Sequence, residues 1–127
     1  LKMIDAPANE FTNEGLLEKV EFTNNISIRF VNGHTKSMML PQINYNGKTI
    51  VYMADLLPSA SHIPLPYIMG YDMFPLTTLK EKKTFLQEAA EKGYILFFEH
   101  DPSIDCCTVH QTEKGIRMNQ AIRLSDL

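Results

Sequence analysis

Lys48-Thr-Ile-Val-Tyr-Met-Ala-Asp-Leu-Leu-Pro-Ser-Ala-Ser-His62 is the stretch around which the rest of the chain is organised. Ile50, Val51, Tyr52 and Met53 form a short continuous apolar run, the pattern of a strand covered on both faces, and Pro58 blocks simple extension of its ladder. The run stops at a lone carboxylate, Asp55. Strand ends are where layered α/β sheets hold ligands, but aspartate also caps turns, so Asp55 alone admits both readings. Two other stretches bear on the choice: Gly33-His34-Thr35 upstream and Phe97-Phe98-Glu99-His100-Asp101 downstream.

Toward the N-terminus, Asn46-Gly47 is a strong hairpin signal and joins the central strand to one at Ser37–Tyr45, with Pro41 marking an edge or bulge. Ile26, Ile28 and Phe30 alternate with Ser27, Arg29 and Val31, a strand with one wholly apolar face, and Asn24-Asn25 separates it from a strand at Glu21–Thr23. Asn32-Gly33 ends that strand, with Gly33 free to take a positive φ, which sets His34 at the mouth of the turn. Asn13–Lys19 reads as a helical turn or two, and residues 1–12 as an irregular lead-in.

Toward the C-terminus, the proline-rich and aromatic stretch from Asp55 to Phe74 is expected to be a packed loop. Tyr67, Met69, Tyr71 and Phe74 either form one wall of a pocket or cover a core. Thr78-Leu-Lys-Glu81 reads as a capping box. The helix it opens should bury Leu79, Leu86, Ala89 and Ala90, keep Lys80, Lys83, Gln87 and Glu91 in water, and end at Gly93. Tyr94–Phe98 is a second buried strand, delivering Glu99-His100-Asp101 at its end. Ile104–Gln111 and Ile116–Leu124 form a closing hairpin around Glu113-Lys114-Gly115.

With 127 residues the chain is expected to be a single domain spanning 1–127 and able to own a core. A hydrophobic content of 44% and a charged content of 21% exclude disorder and fibrous repeats. A net charge of -3, without a basic stripe, argues against nucleic acid. No apolar run approaches the ~20 residues that cross a bilayer, and the N-terminus lacks a signal-peptide core, so no membrane partner is expected. Adjacent Cys106 and Cys107 would point to opposite faces of a strand and cannot pair with one another, which favours a reducing, cytoplasmic setting. Leu1 in place of an initiating methionine suggests a piece of something longer.

Three strands thus end at His34, Asp55 and His100, and in a sheet whose strands run the same way these ends meet at one edge. Two imidazoles and a carboxylate are a ligand set for catalytic zinc, with contacts of about 2.0–2.2 Å. A carboxylate can also bridge two ions about 3.5–4 Å apart. Hydrogen-bonded structural histidines fit the same pattern, and spacing alone does not choose between them.

The order Gly33-His34-Thr35, a strand ending in Ala54-Asp55, a helix, and a strand ending in Glu99-His100-Asp101 resembles the C-terminal half of the metallo-β-lactamase-fold hydrolases. It is most similar to the branch containing lactonases and organophosphate hydrolases. The resemblance covers roughly residues 26 to 110 and extends to Leu57-Pro-Ser-Ala-Ser-His62 and Tyr71-Asp72. It implies an α+β fold, with α/β-type layers, that is half of an αββα sandwich: a mixed sheet packed by one main helix. It further implies that His34 binds one metal, that Asp55 bridges both, and that His100 binds the second. The family usually has Pro and Gly where this chain has Lys36-Ser37, and Gly where it has Ala54. Its His-x-His-x-Asp-His motif belongs upstream of Gly-His-Thr, and the 33 residues before His34 contain no histidine.

Two expectations follow from the resemblance. In the first, the chain is the C-terminal part of a longer metal-dependent hydrolase, inactive alone. Two divalent ions, zinc with manganese or iron as alternatives, would activate hydroxide against an ester, lactone or similar bond. Asp55 is then the catalytic carboxylate, His62 and Tyr67 contact the small-molecule substrate, and the missing N-terminal half is a partner. In the second, it is a non-catalytic half-domain that binds a partner or self-associates through the surface the missing half would cover.

Overall fold

The computed structural model describes residues 19–127. The lead-in over residues 1–12 and the turns read over Asn13–Lys19 lie outside them, apart from Lys19, which opens the first strand, β1 (Lys19–Thr23). β2 spans Ile26–Val31, β3 Met38–Tyr45 and β4 Lys48–Tyr52. Asn46-Gly47 folds as the dipeptide predicts: both residues take positive φ, 50° and 72°, so β3 and β4 pair antiparallel across a tight turn. β1 with β2 and β2 with β3 are also antiparallel.

β5 (Ile95–Phe97) lies parallel to β4 on its other side. Parallel neighbours need a long crossover, here the loop after β4 followed by α1 (Pro75–Lys92). β6 (Cys106–Thr112) and β7 (Gly115–Ile122) complete a seven-stranded mixed sheet whose spatial order is the chain order. Two antiparallel steps lead from β2 to β4 and one parallel step to β5, so β2, β4 and β5 run the same way. Their C-terminal ends share one edge of the sheet.

The two-residue period of the strands sends neighbours to opposite faces. Val51, Leu96 and Cys107 join Phe85, Leu86 and Ala89 of α1 in the main core, while Ile50, Ile95 and Cys106 form a smaller cluster on the other face. Both thiols are buried and free. Burying Phe85 or Leu86 contributes roughly 1.5–3 kcal/mol each. Arg29, on the polar side of the β2 alternation, is buried rather than wet. It pairs with Glu88, donates to Gln42 Oε1 at 2.9 Å, and lies against the rings of Phe85 and Tyr94 at 5.6 and 5.8 Å.

The capping-box reading fails. α1 starts four residues earlier, with Phe74 at the N-cap and Pro75 at its first position, where the missing proline N–H is no loss. Thr78 and Glu81 are therefore interior and buried, and Leu79 is exposed instead of Thr78, Glu81, Lys82 and Phe85. Gly93 ends α1 at φ 68° as expected.

Candidate functional site

The shared strand edge brings together His34, Asp55 and His100. His34 Nε2 lies 3.3 Å from Asp55 Oδ2, and His100 Nε2 lies 3.4 Å from Asp55 Oδ1. Each imidazole meets a different oxygen of one carboxylate. His34 Nδ1 is 2.7 Å from Asp72 Oδ1, and because a carboxylate only accepts, Nδ1 carries the proton. A neutral His34 then offers only a lone pair at Nε2, facing the lone pairs of Asp55. That contact is satisfied by a proton or a cation between them.

The spacing, 3.3 and 3.4 Å, suits a cation as well as a long hydrogen bond. With bonds of about 2.0–2.1 Å, the ligand-to-ligand edge of a tetrahedral zinc site is about 3.3–3.4 Å. Among the described residues, no group of three or more His, Cys, Asp or Glu side chains is arranged to hold one metal ion. The geometry is one carboxylate, Asp55, with an imidazole nitrogen facing each of its oxygens.

Backbone packing sets these positions. Gly33 does not take the positive φ expected of it; its need for glycine comes from close approach, since a Cβ there would overlap Oγ1, N and Cα of Thr78 on α1. Glu81, on the same helix, accepts from the amides of Asn32 and Gly33 at 2.7 and 2.8 Å. The loop returns to this turn as Met73 N and Phe74 N donate to the carbonyls of His34 and Gly33. On the other flank, His100 N donates to Pro58 O at 3.1 Å. Asp101 accepts from Ala60, Ser103 and Ile104 amides, each at 2.9 Å; burial would raise its carboxyl, but those three donors hold it below the usual range. Tyr52 is pushed up to about 12 by its hydrogen bond to Glu99, by burial, and by the negative charges of Glu99 and Asp55.

The structure is similar to a set of solved structures, among them the following three. One is a probable metal-dependent hydrolase from Staphylococcus aureus, 21% identical with a TM-score of 0.72, over 88% of this chain and 40% of that one. A second is AidC, a dizinc quorum-quenching lactonase in complex with a product, 19% identical with a TM-score of 0.71, over 83% and 36%. A third is AbOPH, a hydrolase in the β-lactamase superfamily, 15% identical with a TM-score of 0.67, over 81% and 36%. The fold matches the C-terminal half of a metallo-β-lactamase fold. The chain spans about two fifths of the length of these structures. No protein-family model and no curated protein matches it. No helix among the described residues is long and apolar enough to cross a membrane.

Within this half metallo-β-lactamase fold, the two departures from the usual glycines adopt glycine-like backbone: Ser37 has φ 59° and Ala54 φ 43°. His62 ends the 3-10 turn Ala60–His62 and shares a 2.9 Å hydrogen bond with Ser59 Oγ. Burial first, then the charge of Lys82, lowers its imidazole below the ordinary value, with Asp72 opposing. The Tyr67 side chain is 60% exposed, and its carbonyl accepts from Lys82. The hydrogen bonds found for these two residues thus do not reach the His34–Asp55–His100 group. Asp72 is the residue that sequence reading undervalued: its carboxylate is 1% exposed and orients His34. Its signal was weak because a loop aspartate before a helix reads as a cap.

Proposed function

We propose that the chain is the C-terminal part of a metal-dependent hydrolase acting on an ester, lactone or similar bond. The observation that carries this is the double engagement of Asp55, with an imidazole nitrogen facing each of its oxygens at 3.3 and 3.4 Å. His34 with Asp55 Oδ2, and His100 with Asp55 Oδ1, would hold two divalent ions, zinc being the first choice and manganese or iron alternatives. Such ions polarise a scissile carbonyl or phosphoryl oxygen and acidify water. Asp55 is the shared ligand, and Asp72 keeps the proton of His34 on Nδ1 so that Nε2 faces the site. His62 and Tyr67, on the loop between Asp55 and Asp72, contact the substrate. The likeness to a dizinc lactonase supports this substrate class. The remaining ligands would come from an N-terminal half outside these 127 residues. Two free buried thiols fit a cytoplasmic setting.

The test is zinc-dependent hydrolysis of a γ-lactone or aryl ester by the longest natural form of the protein. Asp55→Ala is expected to abolish turnover with the fold intact; turnover that survives it contradicts the assignment.

One observation favours a second reading, a binding or self-associating half-domain. Tyr67, Tyr71, Met73, Phe74 and Leu76 are 51–88% exposed within ten residues, a concentration of apolar surface that commonly marks an interface. Metal-independent oligomers without turnover would support it.

A further inference from the structure

The loop leaves the site at Asp55 and returns at Asp72; its first half is packed through Leu56, Leu57 and Ile63 in the core, while beyond Ile63 its own backbone hydrogen bonds are the single turns Tyr67 N to Pro64 O and Asp72 N to Met69 O. Pro58, Pro64 and Pro66 lack amide donors, and the regular element described there is one three-residue 3-10 turn. Its middle is held from outside. Lys82 Nζ donates to the carbonyls of Pro64 at 2.6 Å, Tyr67 at 2.7 Å and, more weakly, Leu65 at 3.4 Å. An ammonium has three protons and no acceptor, so one side chain serves three carbonyls within four residues. Lys82 is 0% exposed, and lysine is almost never so deep unless paired.

We infer that Lys82 is a positioning residue for the loop between Asp55 and Asp72, its ammonium fixing the Pro64–Tyr67 backbone, and with it His62 and Tyr67, relative to His34, Asp55 and His100. The anchor adjoins Glu81, which grips the amides of Asn32 and Gly33. Consecutive residues point about 100° apart around a helix of 3.6 residues per turn, so two neighbours on α1 hold the two segments that flank the site. The distance between the His34 turn and the 64–67 wall is therefore set by a rigid helix rather than by a proline-broken loop. Burial pushes the Lys82 ammonium down to about 8, with Asp72 opposing, which is the cost of placing a charge there. That this loop meets an ester or lactone rests on the hydrolase reading; its anchoring does not.

The test uses Lys82→Met and Lys82→Gln in the 127-residue chain, followed by native-state amide exchange and histidine titration by NMR. In Lys82→Met the amides of Tyr67 and Asp72, which donate to Pro64 O and Met69 O, should exchange at least tenfold faster while those of β2 to β5 keep their relative protection. Lys82→Gln, which retains two donors, should fall between. The His62 titration should move upward in Lys82→Met because the nearby like charge is gone and Asp72 remains, a signature that a space-filling residue would not give. Unchanged loop exchange with an unmoved His62, or acceleration shared equally by the whole molecule, overturns the inference. If Lys82→Met does not fold, Lys82→Gln carries the same readouts. Zinc binding by the unmodified chain, measured on the same preparation, tests the hydrolase reading separately: its absence contradicts that reading and leaves the loop result standing.

Discussion

Glu81 Oε1 accepts a hydrogen bond from the Gly33 amide at 2.8 Å across 48 residues of sequence, while Oε2 takes the Asn32 amide at 2.7 Å. A buried carboxylate on α1 thus fixes the backbone that carries His34. In Glu81→Gln one oxygen becomes an NH2 that confronts an amide donor. Hydrogen bonds to charged groups are worth about 1.5–3 kcal/mol, and an orphaned buried donor costs about 1–3. The expected loss is about 2–4 kcal/mol by urea unfolding, with Asp72 and His34 signals broadened before the global transition.

Gly33→Ala should be at least as damaging. The added Cβ overlaps backbone atoms of Thr78 as well as its hydroxyl, so trimming Thr78 to Ala cannot relieve it. Overpacking typically costs about 1–3 kcal/mol; because backbone must move here, a loss at or above the top of that range is expected in thermal unfolding. A rescue by Thr78→Ala would contradict the packing account.

Ser37 and Ala54 should respond differently to glycine, although both have positive φ. Relief of left-handed strain is worth about 1–2 kcal/mol, and added freedom in the unfolded chain returns about 0.4–1. Ser37→Gly should therefore stabilise by about 0.5–1 kcal/mol. Ala54 is 8% exposed, and its methyl contributes a further ~0.8 kcal/mol of burial, so Ala54→Gly should be near neutral. Chemical denaturation of the two variants checks the contrast.

Alkaline stability depends on the vicinal thiols. Burial raises Cys106 to about 11 and Cys107 to about 12, from 9.0, with the charge of Asp105 adding to the first and those of Cys106 and Asp101 to the second. The folded state keeps protons that the unfolded state releases, so this contribution is fully present below pH 9 and is lost as pH rises toward 11–12. The slope approaches about 1.4 kcal/mol per pH unit for each thiol. Lys82, lowered from 10.5 to about 8, acts in the opposite sense between those values, because there the unfolded state binds the extra proton. The Cys106→Ala/Cys107→Ala variant should accordingly lose less stability between pH 9 and 10.5 than the unmodified chain, as read by urea midpoints.

The sheet was legible in the sequence because its signals are local. Asn46-Gly47 dictates a hairpin, and the runs Ile50–Met53 and Tyr94–Phe98 have a strand's length and composition. The convergence of His34, Asp55 and His100 followed from three strand ends. The start of α1 was misread because Thr78-Leu-Lys-Glu81 matches a capping box locally, while Pro75 and the pull of Glu81 toward Asn32 and Gly33 act from outside that window. Lys82 was illegible, and Asp72 undervalued, for the same reason: a buried lysine and a buried aspartate look like surface residues until the loop they serve is folded over them.

The most direct measurement is zinc titration of the 127-residue chain by calorimetry, alongside His34→Ala, His100→Ala and Asp55→Ala. The proposed pair of ions sharing one carboxylate predicts that each histidine variant loses one of two weak binding events and that Asp55→Ala loses both. Binding that is unchanged in Asp55→Ala, or a single event insensitive to all three substitutions, would contradict the account.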